Sequence, residues 1–101
     1  MNLVDIVGGK VVIHPDLYFI PAFKNLYNND TSKDKKHQED IITYVVLMWK
    51  YNSPYYDSMD ASTREKKLKE QIFNDADYEL DELAKVCESE YKEFQYTRIL
   101  K

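Results

Sequence analysis

Three residues could carry nucleophilic, acid–base or metal chemistry by type: His14, His37 and Cys87. A cysteine nucleophile needs an imidazole to take its proton and an acid to orient that imidazole. A zinc site needs several His or Cys side chains at short spacing. Neither histidine has a second His or a Cys at such a spacing. His14 closes a β-branched run just before Pro15, and His37 follows a group of lysines. Cys87 falls on an apolar helical stripe, where a free thiol reads as a buried packing group. A triad of His14, Cys87 and an acid could in principle assemble, but a nucleophile on that stripe would face the core. G-x-S-x-G, H-E-x-x-H and H-x-E…P-C-x-x-C are all absent. The expectation is a chain with no catalytic residues, no metal and no cofactor.

Two patterns imitate ligand loops. Gly8-Gly9-Lys10 follows an apolar strand, as a phosphate loop does, but no Ser or Thr follows the lysine. A strand comes next instead of a helix, so the glycines read as a hairpin turn. Asn28, Asp30, Ser32 and Glu39 occupy positions 1, 3, 5 and 12 of a calcium-loop register. Position 6, where the sharp turn wants glycine, is Lys33, which would also set a cation beside the metal. Asp75, Asp77, Glu79 and Asp81 alternate similarly but read better as acids at a helix start.

The elements that must position these side chains follow from periodicity. Residues 2–7 and 10–14 are β-branched runs around Gly8-Gly9, and two glycines suit a two-residue type I′ turn, predicting a β-hairpin. A lone hairpin is marginal in water, so it must lie on the helices or lend an edge to a partner's sheet. Leu17, Ile20, Phe23, Leu26 and Tyr27 recur at helical spacing. Pro21 interrupts them, so the regular helix begins there as a first-turn proline, with 16–20 as the turn leading in. Asn28-Asn29-Asp30 ends it.

No apolar residue lies between Tyr27 and Ile41. The next helix is expected to begin near Thr31 or Ser32, both good N-caps, and to run to about Tyr51. Its half from Ile41 to Trp49 is apolar almost all round, which marks a helix buried on every side. A buried strand is the alternative, since Val and Ile are β-formers; length and the polar lead-in favour helix. Ser53-Pro54 breaks it. Ser62-Thr63-Arg64-Glu65 reads as a capping box opening a third helix through Leu68, Ile72 and Phe73. A last helix carries Leu80, Leu83, Ala84, Cys87, Tyr91 and Phe94, a helical stripe, with Asp77 or Asp81 at its start. The predicted fold class is α+β, mostly α: an N-terminal hairpin over 2–14, then about four helices over 16–101 around a central hydrophobic helix.

The chain has 101 residues, enough for one domain. Its hydrophobic content of 44% is too high for a disordered segment. No apolar stretch approaches the ~20 residues a bilayer requires, and no basic n-region suggests a signal peptide. One cysteine makes no internal disulfide, which fits a reducing compartment. The net charge of −4 lies wholly in residues 51–101. Eight acids between Asp75 and Glu93, against Lys85 and Lys92, would repel phosphate and argue against nucleic acid there. The bland reading is the solvated side of an amphipathic helix. Lys33, Lys35 and Lys36 form a short basic group, read as a solvated helix start or as a contact to an acidic surface or nucleic acid.

Nine tyrosines exceed what a small core holds. Tyr44, Tyr51 and Tyr91 are expected at the core rim. Tyr55 and Tyr56, after Ser53-Pro54, are the best interface candidates, because tyrosine is enriched at interfaces. Val11 and Ile13 on the hairpin, Lys35 and Lys36, and the apolar pair Ile99-Leu100 complete the expected contact set.

At Asp30, Lys33-Asp34-Lys35-Lys36, Ser53-Pro54-Tyr55, Arg64 and Tyr91-x-x-x-Gln95-x-Thr97 the chain resembles a family of small helical proteins. They are encoded among virion genes of tailed bacteriophages, notably the crAss-like phages. The resemblance runs in order over about residues 20–100. It implies a virion structural component of the head, auxiliary capsid or portal-neck region, made in the host cytoplasm and without enzymatic activity. It also implies partners: major capsid or portal-type subunits in a symmetric assembly. The alternative, from charge alone, is a small acidic inhibitor or adaptor that binds a host factor.

Overall fold

The computed structural model describes residues 3–8, 10–50, 53, 55 and 59–100, and over 95–100 the backbone alone. Two antiparallel strands, β1 (Val4–Val7) and β2 (Lys10–Ile13), pair with Val4 opposite Ile13 and Val7 opposite Lys10. That register leaves two residues for the turn, and Gly8 takes φ +58° there. Such a conformation costs most residues energy and glycine none. The ladder runs one step further, the His14 amide donating to the Leu3 carbonyl at 3.0 Å. Strand alternation sets Val4, Ile6, Val11 and Ile13 on one face and Asp5, Val7, Lys10 and Val12 on the other. The first face packs against the core.

A 3₁₀ turn (Pro15–Phe19) leads into α1 (Pro21–Asn29), which starts at the proline as the sequence predicts. Asp30 caps its end in extended conformation. The Lys35 ammonium then donates to the carbonyls of Tyr27 and Asp30 at 2.9 and 3.0 Å and lies 4.6 Å from the Tyr27 ring centre. A cation suits the negative end of a helix dipole.

The central helix α2 spans Lys36–Trp49, so it starts after Thr31 and Ser32 and stops short of Tyr51. The physical reason is local. The Asp30 carboxylate accepts from the Ser32 amide, the Ser32 hydroxyl and the Gln38 amide. Ser32 Oγ in turn accepts from the His37 amide at 3.0 Å. Between these ties the chain makes a 3₁₀ turn at Lys33–Lys35, with Asp34 and Lys35 both left-handed. Two left-handed residues cannot continue a right-handed helix, so α2 begins only after them. At its other end Ser53 Oγ donates to the Leu47 carbonyl at 2.6 Å.

Helix α3 (Ala61–Phe73) opens two residues earlier than a Ser62 cap would place it. Asp60 is the cap, its carboxylate accepting from the Thr63 amide, so Ser62 and Glu65 lie inside the helix and form no capping box. Asn74 ends α3 in a left-handed conformation, φ +58°. Helix α4 (Glu82–Leu100) is capped by Asp81, whose carboxylate accepts from the Ala84 amide at 2.9 Å.

Burial confirms α2 as the centre. Ile41, Ile42, Tyr44, Val45, Val46, Leu47 and Met48 are all buried on it. Helices α3 and α4 pack against α2, α4 also packs against α1, and β2 packs against α2. Leu68 from α3 and Ala84, Cys87 and Tyr91 from α4 close the core. Tyr44 and Tyr91 are inside it rather than at its rim, each 1% exposed. Among the described residues, no helix is long and apolar enough to cross a membrane.

Candidate functional site

The residues with intrinsic reactivity have separate structural duties. Cys87 is fully buried, and its Sγ donates to the Ala22 carbonyl at 3.2 Å, tying α4 to α1. Desolvation, and then the negative charges of Asp81 and Glu90, push its thiol up to about 12. His14 bonds Asp5 through Nε2 at 2.8 Å on the outer face of the hairpin. Asp30, the third position of the calcium-loop register, directs its oxygens at Ser32 and Gln38, which closes the turn. Burial opposes ionisation of Asp30, but those hydrogen bonds outweigh it and hold the carboxyl below its usual range.

The single tryptophan joins three helices. Trp49 Nε1 donates to Glu88 Oε2 at 2.9 Å, the Lys92 ammonium lies 4.2 Å from its ring centre, and the Arg64 guanidinium carbon lies 5.6 Å away. Cations over an indole face are attracted by the ring quadrupole. Beside it, Tyr44 meets Phe73 at 5.9 Å, and Phe73 stacks on Tyr78 at 4.0 Å. Burial, and then Glu88 and Glu65, raise the Tyr44 phenol above its ordinary value.

The expected contact residues fall into three groups. Val11 and Ile13 lie on the inner face of the hairpin and are half-buried against the core, so the face they were expected to offer is occupied. Lys35 is engaged with the end of α1, while Lys36 is exposed and pairs with Asp40 at 3.0 Å. Tyr55 is half-buried against the core, its hydroxyl donating to Gln71 Oε1 at 3.1 Å. Tyr51 and Tyr56 lie outside the described residues, as do the side chains of Ile99 and Leu100.

The apolar surface that is open lies elsewhere. Phe19 is 83% exposed at the end of the 3₁₀ turn, and on the outer hairpin face Val7 is 63% and Val12 42% exposed. Two sequence signals mark these residues. Phe19 is off the Leu17–Ile20–Phe23 stripe, and Asp5 and Lys10 label the hairpin face that points to solvent. Next to Phe19 in the chain, Ile20 lines an open groove of about 250 Å³ together with Glu90, Glu93 and Phe94 of α4. A second groove, about 280 Å³, lies between Glu65 and Lys69 of α3 and Leu80, Lys85 and Glu88.

Of the eight acids from Asp75 to Glu93, all but Glu88 are exposed. Asp75, Asp77, Glu79 and Asp81 precede α4, so the solvated helix side the sequence suggests holds only Glu82, Glu90 and Glu93 of the exposed acids. No family model, no curated protein and no solved structure matches this chain.

Proposed function

We propose that the chain is a non-enzymatic structural component of a phage virion, in the head, auxiliary capsid or portal-neck region. It acts by protein–protein contacts with major capsid or portal-type subunits. The sequence resemblance supplies the setting. The observation that carries the contact role is Phe19, an aromatic side chain 83% in solvent on a turn fixed between hairpin and α1. Large aromatics are enriched at protein interfaces, where burial of a Phe contributes ~1.5–3 kcal/mol. The open outer hairpin face adds Val7 and Val12 to the apolar surface available. Mass spectrometry of washed particles tests the reading. The protein is expected at a fixed multiple of a symmetric copy number, and its absence from washed particles refutes the proposal.

The exposed acids from Asp75 to Glu93 favour a second reading, an acidic inhibitor or adaptor of a basic host protein. Association through that face would weaken steeply with salt. Salt-insensitive association speaks against it.

A further inference from the structure

The groove over the α1–α4 seam has an apolar floor and an acidic rim. Ile20 and Phe94, both half-buried, supply apolar surface, and Glu90 and Glu93 stand exposed beside them. Neither glutamate forms an ion pair with a described residue. The seam beneath is rigidly tied, because Cys87 bonds the Ala22 carbonyl and α1 packs along α4.

We propose that this groove docks a short basic–apolar segment of a neighbouring protein, with aliphatic or aromatic side chains on Ile20 and Phe94 and Lys or Arg side chains against Glu90 and Glu93. Charge complementarity selects this occupant. An acidic or phosphate-bearing segment would meet two like charges at the rim, whereas Lys or Arg side chains meet opposite ones. The inference deepens the assembly reading by giving the chemistry of one partner surface, and rests on it for the setting. It does not share its test, which uses purified protein alone.

Isothermal titration with two capped peptides, Lys-Leu-Phe-Lys-Leu and Glu-Leu-Phe-Glu-Leu, reads the preference directly. The lysine peptide is expected to bind and the glutamate peptide to bind at least roughly tenfold more weakly, with affinity for the former falling as salt rises. Glu90→Lys with Glu93→Lys, both surface changes, should reverse that preference while leaving the circular dichroism unchanged. Asp75→Lys with Asp77→Lys, equal in charge but away from the groove, should leave it intact. No binding of the lysine peptide, equal binding of both peptides, or equal loss in the Asp75/Asp77 variant overturns the proposal. Particle composition has no bearing on that result, so failure of the groove and failure of the virion role are separate outcomes.

Discussion

At the residue scale, Cys87 shows how burial decides reactivity. Its thiol is inside the α1–α4 seam and pushed up to about 12, so at neutral pH no thiolate is presented to solvent. Alkylation by iodoacetamide at pH 8 should therefore be negligible in the folded protein and complete in denaturant, as read by mass spectrometry. Folding favours the protonated thiol, so the associated stability is whole below the unfolded thiol's pKa of ~8.5 and is lost as pH rises through the folded value. Chemical denaturation between pH 8 and 11 should show a fall in stability that is shallower in Cys87→Ala than in the parent.

At the element scale, the helix starts depend on aspartates. Asp60→Ala should lower Tm by several degrees, whereas Ser62→Ala, inside α3, should leave it nearly unchanged. That pair of variants separates the observed cap from the one the sequence suggests. Asp81→Ala removes the α4 cap and should cost ~1 kcal/mol by denaturant titration. Asp30 adds a pH dependence. Its folded pKa lies below the unfolded value of ~3.9, so its contribution is present above that pH and disappears as pH falls through the folded pKa. The acid-side decline in Tm should be less steep in Asp30→Asn. The elements themselves were readable because periodicity is a property of neighbours: Gly8-Gly9 set the hairpin, Pro21 set α1, and the run from Ile41 to Trp49 set the central helix. The start of α2 was not, because it depends on Asp30 reaching Gln38 eight residues on and on two non-glycine residues adopting positive φ. The inward hairpin face was missed, since Val11 and Ile13 were expected as contacts although Asp5 and Lys10 mark the opposite face as the outer one, and the engagement of Tyr55 with Gln71 required the fold.

At the scale of the whole molecule, stability and contact surface are separable. Leu68 is fully buried between α3 and α2, and Leu68→Ala should cost ~2–5 kcal/mol, a large share of the ~5–15 kcal/mol typical of a domain. Phe19→Ala should leave Tm within about a degree, since little of its side chain is in contact, yet reduce incorporation into particles assembled from the same components. An assembly component is expected to show this division, with a core that tolerates surface change and a surface whose changes are silent until partners are present. The contact surface was the less legible part of the sequence. Tyrosine abundance pointed to Tyr55 and Tyr56; Tyr55 is half-buried against the core and bonded to Gln71, Tyr56 lies outside the described residues, and the most exposed aromatic described is Phe19, outside every periodic stripe.

The Trp49 contacts have a practical consequence. With one indole in the chain, emission excited at the red edge, where tyrosine does not absorb, has a single source, and that source sits where α2, α3 and α4 meet. Carboxylate and ammonium groups within a few ångströms set its local field, so undocking of α4 would shift the emission maximum before α2 itself unravels. Comparing the emission transition with the far-ultraviolet dichroism transition in urea therefore reads the docking of the last helix without any label. Coincident midpoints mean that the bundle melts as one unit, and an earlier emission midpoint means that α4 lifts away first.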